Sequence, residues 1–258
     1  MSEPRASTLD RFRLDRKVAV VTGGSRGIGR AIARSFAEAG ATVVIASRNA
    51  AHVMATAEEI HREHREAYGI PCDVSDPKAL DHLFERVAEM CGGTDVFVHA
   101  AGVSSVGFAQ DAPRDELQRM LDVHYLAGVR GAQLACAQMR ERGGGSIVLV
   151  SSVWGLGGAT ASLAYGSAKA ALAHAVKVMG IEWARYGVRA NALAPGFVDT
   201  DMTDEMDAKT RDKLVARVPM RRMASPDEMA GPALFLASGA SSYMTGQVLV
   251  ADGGERAR

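Results

Sequence analysis

Seven short apolar runs, separated at a regular beat by amphipathic helix patterns, constrain this chain more than any other feature. They fall near residues 18–22, 42–46, 68–72, 95–100, 146–151, 188–193 and 247–251. Alternation of this kind implies parallel strands joined by helical crossovers, with helices on both faces of the sheet. The expected fold is α/β, a doubly wound parallel sheet of seven strands in a single domain. Crossovers in such sheets are right-handed, and ligands bind outside the carboxyl ends of the strands, where the strand order reverses. The 258 residues contain no internal repeat and no linker. One domain over 17–258 is therefore expected behind an N-terminal extension, 1–16. Gly143, Gly144 and Gly145 read as a helix terminator before the fifth strand.

Chemistry-bearing residues gather at the predicted carboxyl ends. After the first run come Gly23, Gly24, Gly27 and Gly29, then a helix pattern from Arg30 to Ala39 that stops at Gly40. Glycines let a backbone turn sharply against a pyrophosphate, whose charge suits the free N–H groups of a helix N-terminus. The spacing is G-x-x-x-G-x-G, not the general G-x-G-x-x-G fingerprint. After the fifth run stand Ser151 and Ser152, and thirteen residues beyond Ser152 is Tyr165, with Lys169 four further on. Positions i and i+4 share one face of a helix, so a Lys169 ammonium beside the Tyr165 phenol is expected to lower a pKa that is normally about 10. Taken alone, the same spacing also describes a partly exposed tyrosine near a solvated lysine.

The glycine-rich turn from Thr22 to Gly29, His99 to Gly102, Ser152, Tyr165 to Lys169, Asn191 to Gly196 with Thr200, and Asp252 to Gly254 occur in an order and spacing that resembles the short-chain dehydrogenase/reductase family. The resemblance covers about Lys17 to Gly254. It implies a Rossmann-like fold and an oxidoreductase that passes a hydride between a dinucleotide and a ketone or secondary alcohol. It also implies roles: Tyr165 as general acid or base, Lys169 on the nicotinamide ribose, and Ser152, with Ser151 as the alternative, orienting the carbonyl. Cofactor contacts are then expected from Gly23, Ser25, Arg26, Gly27, Ile28, Gly29, Arg48, Asp73, Val74, Ala101, Gly102, Tyr165, Lys169, Pro195, Val198 and Thr200. Thr200 matches the residue that binds the carboxamide, and its other reading is a helix N-cap. Asp73 resembles the partner of the adenine amino group, and its other reading is a cap for the helix near Pro77.

The second strand ends in Ser47, Arg48 and Asn49, with no carboxylate for a ribose hydroxyl pair. Arg48 and Arg26 offer planar donor forks suited to a further phosphate, which points to NADP(H). Arg26 as a solvated surface charge is the alternative. Two positions depart from the family pattern. His124 stands where an asparagine commonly anchors a water chain to the lysine, and is read either as a relay member or as a buried, satisfied histidine. His99 and Ala100 replace a pair of asparagines.

Residues 197–223 carry a charged amphipathic pattern after Pro195 and Gly196, and resemble the family's substrate flap. Met202, Met206, Met220 and Met223 either line an adaptable pocket or pack the flap down. Helices near 115–141 and 165–186 carry apolar residues over more than one face, and in the family such helices build a dimer interface within tetramers. A homotetramer, or a homodimer, is expected.

Composition narrows the remaining choices. Thirty basic and thirty acidic residues cancel, leaving no footprint for nucleic acid or a membrane surface. Cys72, Cys91 and Cys136 form no metal-ligand or C-x-x-C pattern, and no metal is expected. Residues 1–17 mix charges and lack the apolar core of a secretory signal, so a cytoplasmic protein is expected. A 3-oxoacyl carrier-protein reductase is the second enzymatic reading. A non-catalytic dinucleotide-binding regulator is the reading from another class, which the presence of Ser152, Tyr165 and Lys169 disfavours.

Overall fold

A computed structural model of the chain describes residues 7–63, 65–204 and 207–257. Its strands are β1 (Val18–Thr22), β2 (Thr42–Ser47), β3 (Ala67–Pro71), β4 (Val96–His99), β5 (Gly145–Val150), β6 (Val188–Pro195) and β7 (Val248–Ala251). All pair in parallel in the order β3-β2-β1-β4-β5-β6-β7. The order reverses between β1 and β4, which opens a crevice at their carboxyl ends. Each apolar run anticipated from the sequence is a strand.

Strand alternation divides the core in two. Val18 and Val20 of β1 face one side with Phe97, Ile147 and Leu149, against α3 (Pro77–Cys91), α5 (Ala127–Glu141) and α6 (Leu163–Trp183). Ala19 and Val21 face the other with Ile45, Val98 and Val148, against α1 (Gly27–Glu38), α2 (Ala50–Arg62) and α9 (Asp227–Ala237). Successive strand side chains point to opposite faces, so covering both faces buries whole runs rather than alternate residues. Cys72 and Cys136 are buried and all three cysteines are free.

The helix anticipated over 115–141 is interrupted. α4 (Arg114–Met120) runs into a π-helical turn at Leu121–Leu126 before α5 begins. Such turns insert a residue into the helical ladder and redirect side chains, often at functional sites. The chain ahead of β1 is not wholly set apart: Leu14 is buried in the second core, and Phe12 packs on Phe235 at a centroid distance of 6.3 Å. Of the apolar residues on the helices near 115–141 and 165–186, Met120, Ala168, Leu172, Val176 and Met179 are core, whereas Leu126 is 49% exposed. Between β6 and α9 lie α7 (Asp201–Asp204) and α8 (Ala208–Arg217), occupying the segment read as a flap. Among the described residues, no helix is long and apolar enough to cross a membrane.

Candidate active site

The glycine-rich turn leaves β1 and returns into α1. Gly23 has φ of +70°, and a Cβ there would lie 2.5 Å from the Ala101 nitrogen. A Cβ on Gly29 would collide with the Gly23 carbonyl. Only glycine lets these segments close to this distance. The N-cap of α1, Arg26, makes no side-chain capping bond, so the first amides of the helix keep their donors for an anion. A pyrophosphate fits this cradle. Ser25 Oγ lies 2.8 Å from Ser47 Oγ, tying the turn to the end of β2.

Every residue singled out as catalytic or cofactor-contacting lines a single cleft of about 830 Å³. Gly23, Ser25, Arg26, Gly27, Ile28 and Gly29 form its phosphate end, with Arg48, Asp73 and Val74 beyond them. Ala101 and Gly102 floor the middle, and Pro195, Val198 and Thr200 form the opposite wall. Asp73 does not cap α3. Its Oδ1 accepts from the Ser75 amide and hydroxyl, while Asp76 is the N-cap, accepting from the Lys78 amide. The Thr200 methyl faces Gly27, 3.3 Å from where a Cβ would stand, and its amide donates to Thr203 Oγ1 at 3.0 Å. Arg26 is committed to an exposed ion pair with Asp201 at 3.0 Å.

β5 and α6 bring the catalytic candidates together. Ser151 and Ser152 both line the cleft, but the Ser151 hydroxyl donates to the Lys169 carbonyl at 2.8 Å, whereas the Ser152 hydroxyl is the one that hydrogen-bonds the Tyr165 phenol. Lys169 is buried on α6, donates to the Val150 carbonyl at 2.6 Å, and has its Nζ 5.6 Å from the Tyr165 ring centre. The expected lowering of the phenol by this cation is not what the arrangement produces. Burial raises the Tyr165 pKa above its ordinary value, and only the nearby Ser152 hydroxyl opposes the rise. The physical reason is desolvation of the phenol itself; burial likewise pushes the Lys169 pKa down to about 7, so the neighbouring cation is only partly charged near neutrality.

His124 sits in the π-helical turn, edge-on to Tyr165 at a centroid distance of 5.2 Å. Burial first, and the Lys169 charge second, hold its pKa well below the ordinary value, so the ring is neutral. Its Nε2–H donates to the Val103 carbonyl at 2.9 Å, and its Nδ1, the remaining lone pair, is buried with no partner. His99, one of the departures from the family pattern, is equally neutral, pushed down to about 3 chiefly by burial. Its Nε2–H donates to the Val123 carbonyl at 3.1 Å, and its Nδ1 accepts from Thr22 Oγ1 at 2.9 Å. The ring thus fastens the end of β1 to the π-helical turn that carries His124.

Sequence reasoning missed an aromatic wall. Trp154 is edge-on to Tyr165 at 6.0 Å and to Phe197 at 6.1 Å, and both Trp154 and Phe197 line the cleft. Their positions, two residues after Ser152 and one after Gly196, were the available signal. Of the flap methionines, Met202 lines the cleft, Met223 packs with Phe197 and Val218, Met220 is 61% exposed, and Met206 lies outside the described residues.

The family model described as enoyl-(acyl carrier protein) reductase matches residues 23–255. An L-rhamnose 1-dehydrogenase (NAD(P)(+)) of Azotobacter vinelandii is 36% identical over 245 residues, covering 92% of this chain and 96% of that one. A 3-oxoacyl-[acyl-carrier-protein] reductase of Aquifex aeolicus is 34% identical, covering 94% and 98%. A crystal structure of a short-chain type dehydrogenase/reductase from Mycobacterium marinum superposes with a TM-score of 0.94 at 36% identity, covering 98% of this chain and all of that one. The fold, the dinucleotide cradle and these matches together make the chain a member of the short-chain dehydrogenase/reductase family, oxidoreductases that move a hydride between a nicotinamide dinucleotide and a ketone or secondary alcohol.

Proposed function

We propose that this protein is an NADP(H)-dependent oxidoreductase in which Tyr165 is the general acid of ketone reduction and the general base of alcohol oxidation. The observation that carries the reading is the convergence of Ser152, Tyr165 and Lys169 at the carboxyl end of β5, inside the dinucleotide cleft. Bound there, the dinucleotide supplies or accepts the hydride. Ser152 holds the carbonyl oxygen, and as hydride reaches the carbon the Tyr165 hydroxyl gives its proton to that oxygen, so C=O becomes CH–OH. Lys169 would hold the nicotinamide ribose and would pass a proton back to the phenolate. The unpartnered Nδ1 of His124 suits a water between itself and Lys169, which would carry that proton in from solvent.

NADP(H) is favoured over NAD(H) because β2 ends at Ser47 and continues into Arg48 and Asn49 without a carboxylate, and Arg48 is exposed to the cleft. Arg26 joins it by exchanging Asp201 for the phosphate. A homotetramer is favoured by apolar surface left on the helices, with Ile181 81% and Val178 43% exposed on α6. A cytoplasmic setting fits three free cysteines. One experiment tests the whole reading: a panel of ketones and secondary alcohols assayed with NADPH and NADH, alongside Tyr165→Phe. Turnover that survives the substitution would reject the mechanism, and equal rates with NADH would reject the cofactor assignment.

A further inference from the structure

Resting on that reading of the site, the substrate class follows from what lines the end of the cleft beside Tyr165. Trp154 presents its ring between Tyr165 and Phe197, nearly perpendicular to both, at interplanar angles of 88° and 82°. Val103 and Val106, in the loop after β4, and Met202 on α7 line the cleft with them. Val106 is 71% exposed and Met202 40%. Large apolar side chains left open at the mouth of a functional cleft are surface that an apolar ligand would remove from water.

Apart from Asp201, which adjoins Met202, charge on the cleft is placed elsewhere. Arg30, Arg48, Glu59 and Asp73 line the phosphate and adenosine end. Arginines beside the substrate end are already neutralised by carboxylates of the chain. Arg119 takes Glu116 at 2.8 Å while bonding the Ser104 carbonyl, and Arg211 takes Asp199 at 2.7 Å. A substrate carboxylate or phosphate seated there would meet aromatic and aliphatic walls without a free partner, at a steep desolvation cost.

We propose that the substrate is an uncharged, bulky apolar ketone of alicyclic or aryl type, together with its secondary alcohol, with Trp154 and Phe197 as specificity-determining side chains. The carbonyl oxygen meets the Ser152 and Tyr165 hydroxyls, and the hydrocarbon body lies along the aromatic wall toward Val106 and Met202. The reaction is the balanced one given above, in which hydride adds to the carbonyl carbon and the Tyr165 proton to its oxygen.

The test compares kcat/KM, with NADPH, for the bicyclic ketone 2-tetralone, the sugar acid 5-ketogluconate and acetoacetyl-coenzyme A. The expected result is a preference for 2-tetralone of at least about tenfold over each charged substrate, the scale that apolar pockets achieve. Equal or better use of either charged compound, abolished by Tyr165→Phe, would overturn the substrate class while leaving the oxidoreductase reading intact. No turnover of any ketone would instead sink the reading beneath it. Val106→Asp, at an exposed position that folding tolerates, is expected to raise the KM for 2-tetralone about tenfold with a smaller change in kcat. In the NADP⁺ complex, which has no hydride to give, 2-tetralone should quench tryptophan fluorescence saturably, and Trp154→Leu should abolish that signal although Trp183 remains. An unchanged KM in Val106→Asp, or quenching that persists without Trp154, would remove the proposed wall from the binding site.

Discussion

Lys169 donates a 2.6 Å hydrogen bond to the carbonyl of Val150, the last residue of β5. This bond fastens α6 to the strand that delivers Ser152, so serine, tyrosine and lysine share one rigid frame. Burial leaves Lys169 with a pKa of about 7 and the Tyr165 phenol above its ordinary range. At neutral pH the chain alone therefore keeps the Tyr165 phenol protonated and leaves Lys169 only partly charged. Charge on Lys169 has to be favoured by what binds beside it.

Removing the Tyr165 hydroxyl should abolish most turnover without dismantling the cleft. Tyr165→Phe keeps the ring against His124 and Trp154. A fall in kcat of roughly 10²–10⁴ is expected for loss of a positioned proton donor. Steady-state assay with intrinsic-fluorescence titration of NADPH separates the chemical loss from any loss of binding. Wild-type kcat in the variant would assign the acid to another residue.

His124 has one nitrogen bound to the Val103 carbonyl and one buried without a partner. His124→Asn is expected to shift the pH–rate profile of kcat, because an amide presents a different group to the same water. NADPH affinity should change little. A profile identical to wild type would reduce His124 to a packing residue.

Cofactor choice should respond to Arg48. A charge-assisted hydrogen bond contributes about 1.5–3 kcal/mol, so Arg48→Ala is expected to weaken NADPH binding by about one to two orders of magnitude. NADH binding should change far less. Asp201→Ala, which frees Arg26 from its ion pair, should tighten NADPH modestly. Calorimetric titration of both dinucleotides measures each effect, and equal weakening of the two by Arg48→Ala would contradict NADP(H) recognition through this residue.

Acid should destabilise the fold through its buried histidines. His99 has a folded-state pKa of about 3 against an ordinary 6.5, and His124 is also well below the ordinary value. The unfolded chain then binds more protons than the native one between those values, so stability is intact above about pH 6.5 and falls as pH drops toward 3. The slope contributed by one such group is about 1.4 kcal/mol per pH unit. In urea unfolding at pH 7, 5.5 and 4.5, His99→Asn should lose less stability on acidification than wild type. Parallel losses would place the acid sensitivity elsewhere.

Periodicity and spacing determined a large part of this protein. Apolar runs such as Val18 to Thr22 and Thr42 to Ser47 are strands because continuous hydrophobic stretches of that length can be buried only in a sheet covered on both faces. Gly23 and Gly29 were legible because no other residue allows their backbones to meet the neighbouring segments so closely. The helical step from Tyr165 to Lys169 placed that pair on one face, and the family resemblance, with its serine thirteen residues before the tyrosine, named Ser152 as their companion. Other properties depend on contacts between residues far apart in the chain. Ser152 rather than Ser151 has its hydroxyl on Tyr165 because that of Ser151 is taken up by the Lys169 carbonyl, eighteen residues on. His99 braces the π-helical turn only once β4 lies beside β1 and α5 packs over it. The aromatic wall needs Trp154, Tyr165 and Phe197 from three separate segments. Even the protonation of Lys169 and Tyr165 was decided by tertiary structure, because desolvation is set by everything packed around a group and outweighed the pairing that their spacing implied.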